Sequence, residues 1–215
     1  MNHRVFVLDT YYPEALAAFE GRWAGASHAN HLAGLLHCGF GTADFWSRNL
    51  TPLGWDAVDC VVNAEDLQRK WASRDAERLP ADTPLHEIAM WQLRFFDPAA
   101  VILQDVSFLP VDFLDHLHTD KRIIAAQISC PMPDADKVRR LDLCFTSFPH
   151  YVERLEHMGV KRVVYMPLAF EPDVRRRIPL GIVAESFLDE HGDWIMGVKQ
   201  FQRDIDLLFV GGVGK

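Results

Sequence analysis

The chain lacks paired cysteines and long apolar runs. Its four cysteines, Cys38, Cys60, Cys130 and Cys144, stand far apart, without the CxxC spacing of a structural zinc site or redox pair. The apolar run near the N-terminus covers only about five residues, which is too short for a signal-peptide core or a membrane span. We therefore expect a cytoplasmic protein with free thiols and no transmembrane segment.

Basic residues are in the minority. The 22 Lys and Arg side chains face 30 Asp and Glu, which gives a formal net charge of -8. Nucleic acids and anionic lipids attract basic surfaces, so neither is expected as a partner. His28, His31 and His37 lie close in sequence but not at a zinc-binding spacing, so we expect no metal site.

Familiar catalytic motifs are absent from the sequence. It contains no GxSxG elbow, no HExxH, no EF-hand loop and no complete Walker sequence. The stretch VGGVGK (210–215) sets glycines directly after an apolar run, as phosphate-binding loops do. Such a loop also needs a hydroxyl residue after the Lys and a helix facing the phosphate, so we expect no nucleoside triphosphate site here.

Short apolar runs recur along the 215 residues, 49% of which are apolar. They show no two-residue alternation, which is typical of strands buried on both faces of a parallel sheet. The predicted strands are 4–9, 56–63, 100–105, 122–129, 143–148, 162–169 and 206–212.

Helical patterns separate these runs. The predicted helices are 13–20, 42–53, 64–75, 84–96, 110–118, 134–141 and 148–159, with Thr42 as a cap and Gly159 as a left-handed stop. The alternation predicts an α/β fold with a Rossmann-like, doubly wound, mostly parallel sheet. Two stretches depart from it. We interpret residues 20–41 as a mobile loop or part of a substrate cleft. We interpret residues 175–202 as a linker with one short helix.

Polar residues follow the ends of five predicted strands. Ligands of doubly wound sheets bind at the carboxyl ends of the strands, so these residues should lie along one rim. They are Asp9, Thr10, Tyr11, Tyr12, Asn63, Gln104, Asp105, Gln127, Ser129, Ser147 and His150.

Each rim residue also has a structural interpretation. Asp9 and Asp105 either cap the following helix or line the cleft. Tyr11 and Tyr12 either pack a loop or stack on a sugar ring. Gln127, inside an apolar strand, needs hydrogen-bond partners from a structural network or from a ligand.

Four stretches, taken in order, resemble bacterial glycosyltransferases related to spore-maturation proteins. These are FGTADFWSRNLTPLGWDAVDCVVNAEDLQRKWA (40–72), FFDPAAVILQDVSFLP (95–110), DLCFTSFPHYVERLEHMGVKRVVYMPLAFEPDV (142–174) and RDIDLLFVGGVGK (203–215). The third stretch is the most recognisable, with a strand ending in Thr-Ser, a helix, a Gly and a strand ending in Pro-Leu-Ala-Phe. The order of the stretches carries the resemblance more than any single motif.

The resemblance implies a GT-B fold, in which two Rossmann-like domains face each other across a cleft. Residues 1–174 would form the acceptor-side domain, 175–202 a linker or crossover, and 203–215 the first strand and Gly-rich turn of the donor domain. The activity implied is transfer of a sugar from a nucleotide-sugar donor to a hydroxyl acceptor, which is a glycan, a protein or a small molecule. No permanently bound cofactor is expected, since the UDP-, GDP- or dTDP-sugar is a substrate.

The implied site combines rim residues with the glycines of the last stretch. Asp105 and His150 are the candidate acceptor-activating bases, although a His in the first turn of a helix is also often a capping or surface residue. The substrate-binding candidates are Tyr11, Tyr12, Gln104, Gln127 and Ser147. The candidates on the donor phosphate side are Gly211 and Gly212.

Two rival functions fit the same patterns. The first is a non-catalytic module that binds a glycan or a partner, with a second copy or a separate donor-domain chain as that partner. The second is an unrelated doubly wound protein, such as a receiver-like or cofactor-binding domain. A receiver-like domain would need an acidic cluster after the first strand, where the sequence offers only Asp9.

Overall fold

The computed structural model describes residues 3–19, 21–74, 79–129, 131–167, 169 and 171, and the backbone of Ile182–Leu188 and Trp194–Gln200. The chain divides into two compact units, Met1–Phe170 and Glu171–Lys215.

Strands and helices alternate through the first unit. The strands are β1 (Arg4–Asp9), β2 (Asp56–Val61), β3 (Ala100–Leu103), β4 (Ile123–Gln127), β5 (Leu143–Thr146) and β6 (Val163–Tyr165). The helices are α1 (Pro13–Phe19), α2 (His28–His37), α3 (Phe45–Leu50), α4 (Glu65–Ala72), α5 (Leu85–Phe96), α6 (Val111–Thr119), α7 (Ala135–Val138) and α8 (Pro149–His157). A 3-10 turn, Thr51–Leu53, follows α3.

The six strands form one sheet in the order β2-β1-β3-β4-β5-β6, and every pair is parallel. The predicted α/β, Rossmann-like class is therefore confirmed. Its order begins as in flavodoxin-like sheets, with β1 between β2 and β3. The chain leaves β1 toward one edge of the sheet and β3 toward the other, so the order reverses between these two strands.

Both faces of the sheet are covered, as the apolar strands require. Phe6 and Leu8 of β1 face a large buried cluster with side chains of α5, α6, α7 and α8. Val5 and Val7 point to the opposite face, where Trp46 of α3 packs against them. Continuous burial of β1 on both sides explains why its sequence lacks two-residue alternation.

Residues 20–41 contain a helix that the prediction missed. Ser27 caps α2 by accepting a hydrogen bond from the Asn30 amide at 3.3 Å, and Leu35 is buried against the edge of the sheet. Gly34 interrupts the helical pattern in sequence. It is needed because a Cβ at this position would collide with the indole of Trp23.

The helix predicted at 42–53 begins later than expected. Asp44 is the N-cap of α3, and the hydroxyl of Thr42 instead donates a hydrogen bond to Asp9 at 3.1 Å. Thr42 is thus not a helix cap; it ties this loop to the end of β1.

The described backbone of the second unit is a hairpin. Strands β7 (Ile182–Leu188) and β8 (Trp194–Gln200) pair antiparallel, where one short helix was expected within 175–202. The strand predicted at 206–212 lies outside the described residues.

Gly159 ends α8 with φ of 100°, which confirms the predicted left-handed stop. A Cβ there would lie 3.5 Å from Arg139 Cβ, so space is available and the backbone conformation is the obstacle. We predict that Gly159→Ala lowers the free energy of unfolding by about 1–2 kcal/mol. Urea denaturation measures this change.

Gly25→Ala is the matched control, because no heavy atom lies within 4 Å of its added Cβ and its φ is not left-handed. Its free energy of unfolding should be unchanged or raised by up to about 1 kcal/mol. Equal losses in the two variants would contradict the assignment of strain to Gly159.

Candidate functional site

The loops that follow β1 and β3 are joined by a hydrogen bond at the reversal point of the sheet. Thr10 Oγ1 donates to Asp105 Oδ2 at 2.7 Å. Thr10 directly follows β1 and Asp105 lies two residues beyond β3. The two neighbouring strand ends that the sequence placed on one rim therefore do meet there.

Asp105 is held by three donors. Besides Thr10, the amides of Ser107 and Phe108 donate to its Oδ1 at 2.9 and 3.2 Å. Both carboxylate oxygens are thus engaged in shaping the turn before α6. The predicted role of Asp105 as a base stays a prediction.

Asp9 is the carboxyl at the end of β1. Its Oδ1 accepts from the Thr10 amide at 2.8 Å and its Oδ2 from Thr42 Oγ1 at 3.1 Å. Burial raises the pKa of Asp9 to about 6, and the charge of Asp105 adds to the rise. A carboxyl with a pKa near the working pH is suited to general base catalysis.

The segment that covers Asp9 has an unusual backbone. Gly39, Gly41 and Ala43 have φ of 70°, 59° and 44°, so left-handed residues alternate along it. Ala43 is the rare case, because residues with a Cβ disfavour this region, and strain of this kind is common at functional sites. The segment brings Thr42 onto the Asp9 carboxyl.

Asp59 is a second buried carboxyl, in β2 beneath α3. Ser47 Oγ lies within hydrogen-bond distance of its Oδ2 and 3.2 Å from the backbone oxygen of Asp44. Burial raises the pKa of Asp59 to about 7, with smaller contributions from Asp44 and Asp9. Ser47 Oγ is the donor in both contacts, so its single hydroxyl hydrogen is shared between Asp59 and the Asp44 carbonyl.

Tyr11 lies in the core rather than on the rim surface. Its side chain is 2% exposed, and its ring packs 5.0 Å from that of Phe40. Asn63 fixes its backbone by accepting from the Tyr11 amide at 2.9 Å and donating to the Tyr11 carbonyl at 2.6 Å. The buried ring has no face for a sugar, so only its hydroxyl remains for the predicted role.

The Tyr11 hydroxyl is within electrostatic range of Asp9 and Asp59. The phenol has no hydrogen-bond partner within the described residues. Burial raises its pKa, and the charges of Asp9 and Asp59 raise it further, so it stays neutral at physiological pH. A neutral phenol can donate a hydrogen bond to a carboxylate or to a ligand.

Tyr12 and Gln104 keep the features expected of ligand-binding residues. Tyr12 is 72% exposed, and its ring meets Phe40 edge to face at 5.6 Å, which leaves a face open for stacking. The amide nitrogen of Gln104 is buried without a hydrogen-bond partner among the described residues. Buried polar groups in proteins are nearly always satisfied, so this amide is a candidate ligand contact.

The ends of β4 and β5 are joined as well. Ser129 Oγ accepts from the Ser147 amide at 3.0 Å and lies 2.8 Å from Ser147 Oγ. Gln127 stands opposite Phe145 in the register and is half-buried. Its side chain has no hydrogen bond within the described residues, and because it is only half-buried its predicted role in binding stays a prediction.

His150 is exposed in the first turn of α8. Its ring stacks on Phe148 at 5.5 Å and meets Tyr151 edge to face at 4.8 Å. It follows β5, whereas Asp105 follows β3, and β4 lies between them. Two strand spacings amount to about 10 Å, so the two candidate bases are not brought together.

The glycines predicted on the donor phosphate side, Gly211 and Gly212, lie outside the described residues. Elsewhere in the described chain, no group of three or more His, Cys, Asp or Glu is arranged to hold a metal ion. A receiver-like domain needs an acidic cluster that holds a metal ion. Asp9, Asp59 and Asp105 lie in this region but are not arranged as such a cluster. Among the described helices, none has the length and apolarity to cross a membrane.

A cavity of about 360 Å³ opens beside the ends of β1 and β2. Its apolar lining includes Leu16 and Phe19 of α1, and its polar lining includes Asn63, Glu65 and Asp66. Its volume is in the range of small-molecule sites. It touches the rim through Asn63, the residue that fixes the Tyr11 backbone.

Comparisons with protein-family models, with curated proteins and with solved structures found no match to the chain.

Sequence reasoning missed Asp59 and undervalued Asp9. Asp59 interrupts the apolar run DAVDCVVN (56–63), and a carboxyl within a two-sided apolar strand is a signal for a buried group with a raised pKa. From the sequence, Asp9 is interpreted as a helix cap or a cleft residue and not as a candidate base. Its burial depends on the loop that ends at α3, which no local pattern reveals.

Asp59→Asn tests the buried carboxyl. The folded-state pKa of Asp59 lies above its usual value of 3.8, so the protonated group stabilises the fold and this contribution is lost as pH rises toward 7. We predict that Asp59→Asn, which resembles the protonated acid, gains about 2–3 kcal/mol relative to wild type between about pH 5 and pH 8. Urea denaturation at the two pH values measures the gain.

The comparison must be made against wild type at each pH. Burial lowers the pKa of His28 to about 4, which destabilises the folded state below the unfolded His pKa and opposes the Asp59 effect. The His28 contribution is the same in wild type and in Asp59→Asn, so it cancels when the two proteins are compared at one pH. Asp56→Asn, an exposed site at the start of the same strand, should show no pH-dependent gain. The absence of a gain for Asp59→Asn, or equal gains in both variants, would contradict a raised pKa specific to Asp59.

Proposed function

We propose that the Met1–Phe170 unit is the acceptor-binding half of a glycosyltransferase that uses a nucleotide-sugar donor. The observation that carries the proposal is the Asp9 carboxyl at the reversal point of a doubly wound sheet, with a pKa raised to about 6. Ligands of such sheets bind at this point. The sequence resemblance supplies the reaction class, since a fold alone does not define one.

In the proposed reaction the acceptor hydroxyl oxygen forms a bond to the anomeric carbon of the donor sugar. The bond from that carbon to the diphosphate oxygen breaks, and the diphosphate leaves with the electron pair. Asp9 takes the hydroxyl proton, which it can do when ionised, above about pH 6. Asp105 positions the Asp9 loop through Thr10.

The donor belongs to a second domain in this proposal. UDP-, GDP- and dTDP-sugars carry a diphosphate, which helix N-termini and basic side chains stabilise as it leaves. Gly211 and Gly212 are the predicted contacts on that side. A cytoplasmic location is part of the proposal, and the free thiols Cys38, Cys60 and Cys144 fit a reducing compartment.

The cavity beside β1 and β2 is the acceptor pocket in this proposal. Glu65 and Asp66 at its edge can accept hydrogen bonds from hydroxyl groups, and Leu16 and Phe19 can cover an apolar part of the acceptor. Two carboxylates disfavour an anionic molecule in this cavity. We therefore expect a neutral or cationic acceptor.

A non-catalytic glycan-binding module is the second candidate. The exposed ring of Tyr12, 72% accessible, favours it because a stacking platform needs no base. The two candidates differ in turnover. Glycan binding by the wild-type protein without release of nucleoside diphosphate from any common donor would support the module and contradict the transferase.

The base assignment is tested by Asp9→Asn in the full-length protein. Asparagine keeps the size of the side chain but cannot take a proton, so we predict a fall in kcat of about 10²–10⁴-fold. Nucleoside diphosphate release from UDP-, GDP- and dTDP-sugars measures the rate, with Asp56→Asn at the opposite, amino-terminal end of the strands as control. His150→Asn and Asp105→Asn are assayed beside it, and loss confined to His150→Asn would move the role there.

The pH profile gives an independent check. Because Asp9 must be ionised to act, kcat/KM should rise with pH and level off above about pH 6–7 in wild type. The residual activity of Asp9→Asn should lack this rise. An identical rise in the variant would exclude Asp9 as the titrating group.

A further inference from the structure

A second cavity, of about 380 Å³, lies between α5 and α6, away from the rim candidates. None of the rim candidates lines it. Its apolar floor is formed by Met90 and Phe113, which are 7% and 3% exposed. Trp91 of α5, 44% exposed, forms one wall. We call this cavity the α5–α6 groove.

Polar side chains surround this floor. Glu87 and Asp112 supply acceptors, Arg94 supplies donors, and the imidazoles of His86 and His116 each carry both kinds of nitrogen in the neutral ring. His116 Nδ1 donates to the Asp112 carbonyl at 2.6 Å, which leaves Nε2 of the neutral ring as an acceptor. The side chains of His86, Glu87 and Arg94 make no hydrogen bond within the described residues.

This mixture of groups selects the chemistry of the ligand. An anion would meet the like charges of Glu87 and Asp112, and a cation would meet that of Arg94, so a ligand of either charge faces at least one like charge. A purely apolar ligand would leave the polar wall desolvated without hydrogen bonds. A neutral ring bearing hydroxyls can donate and accept in turn, and its apolar C–H face can pack on the Trp91 indole.

We propose that the α5–α6 groove is a binding site for a neutral saccharide unit, with Trp91 as the stacking platform and Glu87 and Arg94 as hydrogen-bonding partners. The groove has the volume and the mixed lining of small-molecule sites, which are apolar with a few convergent polar groups. This proposal rests on the lining of the groove and does not depend on transferase activity.

Binding by simple glycosides tests this site. The probes are methyl β-D-glucoside, methyl β-D-galactoside, methyl α-D-mannoside and N-acetylglucosamine, each titrated to about 10 mM, which detects affinities in the millimolar range. Saturation-transfer NMR identifies the binder and calorimetry gives its Kd. We expect saturable binding of at least one probe to the full chain.

Variants locate the binding. Trp91→Ala should weaken the binder by at least about tenfold, because stacking on the indole is lost. Phe95→Ala is the matched control on the same helix, since Phe95 is 65% exposed but does not line the groove. Its Kd should stay within about twofold of wild type.

Glu87→Gln guards against a folding effect of the tryptophan change. Glu87 is exposed on α5, so this variant keeps the fold and removes only the charge and part of the acceptor capacity. We expect a weaker Kd by about three- to tenfold, as for loss of one good hydrogen bond. Failure of every probe to bind, or equal affinities in wild type, Trp91→Ala and Glu87→Gln, overturns the proposal.

Discussion

The parallel pairing of β1 with both β2 and β3 is the constraint on which the domain depends. Because β1 is central, it is apolar on both faces, and helices must cover it from both sides. Because the chain leaves β1 and β3 in opposite directions, their carboxyl ends stay free of crossover connections. Asp9 and Asp105 occupy those two ends, and Thr10 joins them.

Burial on the α3 side of the sheet gives the site its chemical character. Asp9 and Asp59 both lie on this face, where α3 and the loop before it remove them from water. Their pKa values are raised to about 6 and about 7, so their ionisation near neutral pH lowers the free energy of unfolding. Carboxyls with raised pKa values beside the ligand-binding point of a sheet favour a role in proton transfer.

Local sequence pattern predicted the elements but not their tertiary use. The strand at 4–9 and the stop at Gly159 follow from apolar runs and glycine conformation, and both were confirmed. The α2 helix was missed because a glycine inside a sequence pattern disfavours a helix. The structure shows that Gly34 is needed within the helix because the Trp23 indole leaves no room for a Cβ. Thr42 was predicted to cap a helix. Its hydroxyl instead donates to Asp9, 33 residues earlier in the chain, a contact that a local pattern does not reveal. The α5–α6 groove is lined by residues from two helices, so no single stretch of sequence predicts it.

The central claim is that two half-buried carboxyls, Asp9 at the end of β1 and Asp59 within β2, hold their protons up to near-neutral pH. The side-chain carboxyl ¹³C shifts of Asp9 and Asp59, followed by NMR through a pH titration of the wild-type protein, measure this directly. The account predicts midpoints near pH 6 and pH 7. Midpoints below about 4.5 for both, the range of ordinary aspartates, would contradict it.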